Sequence, residues 1–307
     1  MKQNINQNRY EALCQRAGRE QVLTNEPMSR HTTFRIGGPA DYFVIPKDME
    51  CVRQVVSFCK EEKLPYYILG NGSNLLVGDK GYRGVMIQLY KNFNRVRVEE
   101  TRIIAQSGAM MSVIAKAALD AGLTGFEFAS GIPGTIGGAA VMNAGAYGGE
   151  LRDVLLQTVV LTPEGEVLTL KTEEMEFGYR TSVVEKRHYT VLEAVLGLQP
   201  GDPEKIRSQM EDLKNRRVTK QPLEMPSAGS TFKRPEGHFA GKLIMDAGLR
   251  GFSVGGAQIS EKHCGFVVNK GNATAADVRE LIRQVQERVQ KQSGVLLEPE
   301  VKMLGEF

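Results

Sequence analysis

Two glycine-rich stretches carry the residues whose spacing most clearly suggests chemistry. Gly70-Asn71-Gly72-Ser73-Asn74 directly follows the apolar run Tyr66–Leu69. Its glycines bare backbone N–H groups beside short Ser and Asn side chains, a combination that grips phosphate oxygens without a formal charge. Taken alone it also reads as a tight turn between strands. It is not a dinucleotide fingerprint: GxGxxG needs a third glycine where Leu75 stands and a helix where Leu75–Val77 continues as strand. No GxxxxGK(S/T) run occurs, which excludes a P-loop. The second stretch, GIPGTIGGAAVMNAGAYGG at 131–149, contains Gly134, Gly137, Gly138, Gly145, Gly148 and Gly149. Each weakens a regular element by ~1 kcal/mol relative to alanine. Its Ile132, Ile136, Val141 and Met142 are not the residues of a flexible linker. Main chain wrapped closely around something flat or phosphorylated accounts for both features. Two such loops separated by short strands point to a large cofactor.

Other chemistries lack their residues. His31, His188, His238 and His263 stand far apart, and Cys14, Cys51, Cys59 and Cys264 form no CxxC pair, so no metal is expected. The cysteines suggest no disulfide framework, no secretory leader is visible, and no apolar run approaches the ~18 residues that span a bilayer. A soluble, cytoplasmic protein with no membrane insertion is the expectation. The formal charge of +3 over 307 residues is too small to argue for nucleic acid. Basic residues without interleaved aromatics, and no tryptophan, argue against a nucleic-acid module. Apolar and charged fractions of 41% and 24% are those of an ordinary globular protein.

The pair LGNGSNLLV (69–77) and GIPGTIGGAAVMNAGAYG (131–148) resembles the FAD-binding loops of the UDP-N-acetylenolpyruvoylglucosamine reductase family, also called UDP-N-acetylmuramate dehydrogenase or MurB. GYRTS (178–182), PSAGSTFKRP (226–235) and LEPEV (297–301) are similar to that family's three active-site motifs, in the same order. The likeness runs from about His31 to Val301. It implies an FAD-binding domain of the PCMH (vanillyl-alcohol-oxidase-like) type and a smaller α/β substrate-binding domain. The implied reaction is NADPH-dependent reduction of the enolpyruvyl ether of UDP-N-acetylglucosamine to UDP-N-acetylmuramate. No long Tyr-bearing loop lies between Gly178 and Ser230, which suggests the family's shorter subtype.

The resemblance makes Arg180, Ser230 and Glu300 the catalytic residues. Hydride delivered to an enolpyruvyl group leaves negative charge on the neighbouring carbon and its carboxylate, and that charge must be stabilised and then protonated. Arg180 supplies a cation that cannot deprotonate. Ser230 is the implied proton donor, with Lys233 three residues on, and Glu300 a partner of the enolic intermediate. The flavin contacts are expected from Gly70, Asn71, Gly72, Ser73, Asn74, Gly134, Thr135, Gly137, Gly138, Gly145 and Ala146. Among the basic residues of the second half, Lys233 and Arg250 are the foremost candidates for the substrate's anionic groups, followed by Arg216 and Gln258, with Tyr179 beside Arg180. NADPH and the sugar nucleotide are the expected partners of a monomeric enzyme. A small-alcohol oxidase or dehydrogenase on the same fold is the other enzymatic reading, and a catalytically silent FAD- or nucleotide-binding protein the non-enzymatic one.

The elements that must position these residues form an α+β pattern of many short strands. A polar helix is expected over 9–20, a strand at 41–46, and a helix through Val52, Val55, Val56 and Cys59 ending at Leu64–Pro65. Strands follow at Tyr66–Leu69, 85–89, 96–98 and 103–105, then a helix at 112–121. Leu155–Leu161 and 167–170 read as a hairpin, and 191–198 as a strand. After a linker at 200–203, helix is expected over 204–217, loop over 221–235, helix over 239–247 and strand over 263–269. Thr274 as N-cap with Asp277 three residues on opens a helix with Val278, Leu281, Ile282, Val285 and Val289 on one face. A final strand is expected at 296–303. The domain reading is an FAD-binding region over 1–200 with lobes at about 1–70 and 71–200, a substrate domain over 201–295, and a returning strand at 296–307.

Overall fold

The computed structural model describes residues 5–307. The chain forms two compact units. The first comprises the residues up to Thr24, Tyr42–Asn71 and Gly84–Arg217; the second comprises Asn25–Asp41, Gly72–Arg83 and Val218–Phe307. The chain therefore passes from one to the other five times.

The first unit holds two apolar cores. In one, α1 (Gln7–Ala17) and α2 (Met49–Glu61) pack together. Asp48 caps α2, its carboxylate accepting from the Cys51 N–H at 2.8 Å. Val52, Val55, Val56 and Cys59 then fall on one buried face, as their helical spacing predicts. That face shares its core with Val44, Val85 and Ile87. Their sheet runs in the order Val22–Pro27, Pro39–Val44, Tyr82–Gln88, Tyr66–Leu69, and Tyr66 pairs in parallel with Val85.

The other core lies under a five-stranded antiparallel sheet. Its order is Val167–Lys171, Leu155–Leu161, Thr190–Gly197, Arg102–Gln106, Val96–Glu99. Helices α3 (Met111–Asp120) and α4 (Ile136–Met142) cover it; a single turn, α5 (Val183–Lys186), packs on α4. The expected linker is partly structured: Gln199–Pro200 pairs with Leu123–Thr124, and α6 (Pro203–Lys220) begins on a proline, a residue suited to a helix's first turn.

In the second unit, α7 (Ala240–Asp246) and α8 (Ala275–Ser293) accompany an antiparallel sheet ordered Ser227–Ser230, Phe266–Asn269, Ala257–Ile259, Ser253–Val254. Val278, Leu281, Ile282, Val285 and Val289 of α8 are buried together with Phe34, Ile36 and Leu76. The capping box at Thr274 is as the sequence predicts, with reciprocal bonds to Asp277 of 3.0 Å each. Gly294 ends α8 at φ 74°. Asp79 adds its carboxylate to the same helix start, accepting from the N–H groups of Ala275 (2.7 Å) and Ala276 (2.9 Å).

Three local expectations need correction. The loop over 221–235 contains the strand Ser227–Ser230; its small polar residues give no β-branched signal, and Gly229 at φ 75° sits where the register slips. The final strand is confined to Lys302–Leu304, in parallel with Leu75–Val77, because the residues before it pair elsewhere, Pro299 in an isolated antiparallel bridge with Phe232. Helix α4 runs through Gly137 and Gly138, which the glycine content concealed. Among the described residues no helix is long and apolar enough to cross a membrane.

Candidate active site

In the first unit the two glycine stretches meet. A Cβ on Gly70 would lie 2.5 Å from Thr135 Oγ1, so glycine is required by close approach of the two segments. The Asn71 amide donates to the Pro133 carbonyl at 2.7 Å. Residues 131–149 then fold as a helix and a hairpin. Thr135 caps α4, accepting from Gly138, while the Ile136 and Gly137 N–H groups donate to the Ala109 and Ser107 carbonyls, both at 2.8 Å. The start of α4 is therefore satisfied internally. Gly145–Ala146 pairs with Gly149–Glu150 around a two-residue tip, Tyr147 and Gly148, at φ 55° and 90°. Two successive positive φ values are what a tight hairpin turn of the I′ kind demands.

The turn bearing Arg180 stands at the end of α4. Gly178 N–H donates to the Thr181 carbonyl at 3.1 Å, closing Tyr179 and Arg180 into the turn, with Arg180 at φ 57°. Tyr179 is exposed, not a core aromatic, and the Arg180 guanidinium lies 5.4 Å from its ring centroid. Ser182 Oγ donates to the Val141 carbonyl at 2.8 Å, and the Asn143 amide to the Gly178 carbonyl at 3.4 Å. Arg152 reaches the Phe177 carbonyl at 2.8 Å.

In the second unit Ser230, Lys233 and Glu300 are brought together. Phe232 and Pro299 form an antiparallel bridge, the Glu300 N–H donates to the Thr231 carbonyl at 2.8 Å, and the Lys233 N–H donates to the Glu298 carbonyl at 2.8 Å. PSAGSTFK and LEPEV are thus neighbours, with Ser230 exposed at the end of its strand. The Lys233 ammonium is ion-paired to the Glu298 carboxylate. Asn74 joins the group, its amide donating to the Glu300 carbonyl at 3.2 Å and its carbonyl accepting from the Lys302 N–H at 3.1 Å. Thr33 ties the first glycine loop to the other end of the Ser230 strand: its N–H donates to Gly72 at 3.2 Å and its hydroxyl to Ser227 at 2.7 Å.

The basic candidates divide. Arg216 is exposed and paired with Asp212 at 2.8 Å, one helical turn away. Arg217, which sequence reasoning did not separate from it, turns inward. Its guanidinium donates to the Gly131 carbonyl at the mouth of the second glycine stretch, and burial lowers its pKa. Helical phase is the signal that distinguishes them, since only Arg216 has an acid four residues earlier on α6. Arg250 is exposed and donates to the Glu261 carbonyl at 2.6 Å. Gln258 is buried, its amide donating to Gly251 (3.0 Å) and Ser253 (3.1 Å) in its own sheet.

These features fit a dinucleotide flavin. Among the described residues, no protein acceptor takes up the backbone N–H of Asn71, Gly72, Ser73 or Asn74, which leaves four consecutive donors for a diphosphate. A Cβ at Gly148 would meet nothing within 4 Å, and one at Gly138 only Thr135 Oγ1 at 3.8 Å, so main chain is open to a flat partner there. Residues 40–171 match the family model of an FAD binding domain, and residues 221–304 that of the UDP-N-acetylenolpyruvoylglucosamine reductase C-terminal domain. The fold is shared with the 4-ethylphenol oxidase of Gulosibacter chungangensis, at TM-score 0.50 and 16% identity over 95% of this chain and 64% of that one.

Fold and site together define an FAD-dependent oxidoreductase on a PCMH-type scaffold. The UDP-N-acetylenolpyruvoylglucosamine reductase of Agathobacter rectalis is 54% identical over 99% of this chain and 100% of that protein; that of Clostridioides difficile is 53% identical over 98% and 99%. The crystal structure of the Thermus caldophilus reductase superposes at TM-score 0.79 with 35% identity, covering 92% of this chain and 98% of that one. The chain belongs to the UDP-N-acetylenolpyruvoylglucosamine reductase family.

Proposed function

We propose that this protein reduces UDP-N-acetyl-3-O-(1-carboxyvinyl)-glucosamine to UDP-N-acetylmuramate with NADPH, as a cytoplasmic step of peptidoglycan precursor synthesis. The observation that carries the proposal is the pairing of the Ser230 and Glu300 segments, through the Phe232–Pro299 bridge and the Glu300–Thr231 hydrogen bond. It runs the Ser230–Lys233 segment alongside the Glu298–Glu300 segment, distant in sequence, and next to Asn74 at the end of the first glycine loop.

Bound FAD supplies the hydride that NADPH provides, through its flavin ring. The residues of the chain handle the charge and the proton that this leaves on the substrate. Arg180 holds the substrate's carboxylate, where charge accumulates, with its planar guanidinium fork. Ser230 gives its hydroxyl proton to the carbon next to that carboxylate. Glu300 hydrogen-bonds the enolic intermediate on the Ser230 side. The N–H groups of Asn71–Asn74, with the segment from Gly134 to Ala146, bind the diphosphate and the ring of the cofactor. Lys233 and Arg250, with Arg216 and Tyr179, serve the substrate's anionic and sugar portions. In this reading residues 1–200 take the flavin, 201–295 the sugar nucleotide, and 296–307 return Glu300 to the site of reaction.

The test is anaerobic and spectroscopic. Purified protein carrying FAD is expected to be yellow, to bleach with NADPH, and to regain its colour on addition of the enolpyruvyl sugar nucleotide. Protein that takes up no FAD, or reduced protein that the sugar nucleotide leaves bleached, would overturn the proposal.

A further inference from the structure

Arg180 has a backbone conformation that costs a non-glycine residue free energy, one it shares with Arg35 and Lys63. Its φ of 57° lies in the left-handed region, where a side chain's Cβ crowds the following carbonyl. Such a residue persists only where its surroundings over-determine it. The bond from Gly178 to Thr181 closes the turn but does not fix it to anything else. Arg152 reaches the Phe177 carbonyl just before the turn, and two buried polar side chains fasten the turn itself.

Ser182 is fully buried and stands at the N-cap position of α5, yet its hydroxyl does not cap that helix. It donates sideways, at 2.8 Å, to the Val141 carbonyl in the last turn of α4. Asn143 is 1% exposed and closes α4 in the left-handed conformation, φ 44° and ψ 57°. Glycine would serve that backbone position equally well, so the side chain must be explained separately. Its oxygen accepts from the Arg152 N–H at 3.0 Å and its amide donates to the Gly178 carbonyl at 3.4 Å. Both ends of the Arg180 turn are thus fastened to the end of the helix that belongs to the second glycine stretch.

We propose that Asn143 and Ser182 are positioning residues for Arg180, clamping its turn to the C-terminal end of α4 so that the guanidinium keeps a fixed place relative to the flavin-binding segment. The inference rests on the reading of Arg180 as the cation at the substrate's carboxylate. It assigns the two side chains a part in the reaction although neither touches the reacting atoms.

The variants N143D, N143G, S182A and R180Q, and the doubles with R180Q, separate the possibilities. In N143D the carboxylate still accepts from Arg152 but has no donor for Gly178. In N143G the helix end keeps a residue suited to it, so a folding defect does not mask the result. FAD content and thermal midpoint establish that each holoprotein is intact, and anaerobic stopped-flow measurement follows the two half-reactions. Reoxidation by the enolpyruvyl sugar nucleotide is expected to slow roughly tenfold to a hundredfold in N143D, N143G and S182A, the scale of a small misplacement of a catalytic group. Flavin reduction by NADPH should stay close to the parent rate, and pairing any of the three with R180Q should add no further slowing. Parent-like reoxidation in N143D and S182A, or losses that multiply with that of R180Q, would overturn the clamp. Slow R180Q beside normal N143D and S182A removes the clamp alone. If R180Q itself reoxidises at the parent rate, the role of Arg180 falls and the clamp falls with it.

Discussion

At the scale of single residues, the two half-reactions provide the sharpest separation of roles. Ser230→Ala should leave flavin reduction by NADPH intact and slow reoxidation by the sugar nucleotide about 10²- to 10⁴-fold, the usual worth of general acid catalysis. Equal loss in both halves, measured by stopped flow, would contradict a proton donor. Arg180→Lys keeps the charge and loses the planar fork, and is expected to slow the same half-reaction ~10²-fold or more. The roles proposed for Ser230, Arg180 and Glu300 rest only on their membership of ordered motifs. Alone, each is an ordinary turn serine, surface arginine or strand-end acid. Arg217 is separable from Arg216 only by helical phase, through Asp212 four residues before Arg216, and not from the run of basic residues itself.

At the scale of elements, α8 was the most readable part of the molecule. Its Thr274–Asp277 box, apolar face and terminal Gly294 all appear in the sequence at their required spacing. Thr274→Ala should destabilise the protein by ~1 kcal/mol in urea unfolding, the usual worth of an N-cap. Asp277 carries a pH signature as well. Hydrogen bonds from the Thr274 and Gly256 backbone hold its carboxyl below the ordinary aspartate range. A folded value below the unfolded one means that its stabilisation is complete above the unfolded pKa and is lost as pH falls through the depressed one. Asp277→Asn should therefore flatten the acid limb of a stability-versus-pH curve while leaving its neutral part lower. The strand Ser227–Ser230 was not readable, since Ser-Ala-Gly-Ser has no intrinsic preference for extended structure and its pairing with Phe266–Asn269 is a tertiary matter. The same holds for α4, where Gly137, which a helix disfavours, is required because a Cβ there would lie 2.8 Å from Ser107.

At the scale of the whole molecule, cysteine placement gives a simple check. All four thiols are free and buried, and burial pushes Cys59 up to about 12. Thiolate is the reactive form, so a disulfide reagent should label the native protein slowly and titrate four groups after unfolding. No separate nicotinamide fingerprint is present in the sequence, which suits NADPH and sugar nucleotide taking turns at one flavin face. Double-reciprocal plots for the two substrates should then be parallel; intersecting lines would argue for simultaneous binding.

The five passages of the chain between units have an outcome for engineering. The C-terminal family match begins at residue 221, but the unit it belongs to is not a detachable cassette. A fragment starting at Val218 lacks Phe34, Ile36 and Leu76 from its own core, the Leu75–Val77 partner of Lys302–Leu304, and the Asp79 carboxylate at the start of α8. Burying each of those three apolar side chains contributes about 1.5–3 kcal/mol, against a typical domain stability of about 5–15 kcal/mol. Expressed alone, that fragment should remain unfolded by circular dichroism and hydrogen exchange. It should acquire structure only when the missing peptides are supplied in trans.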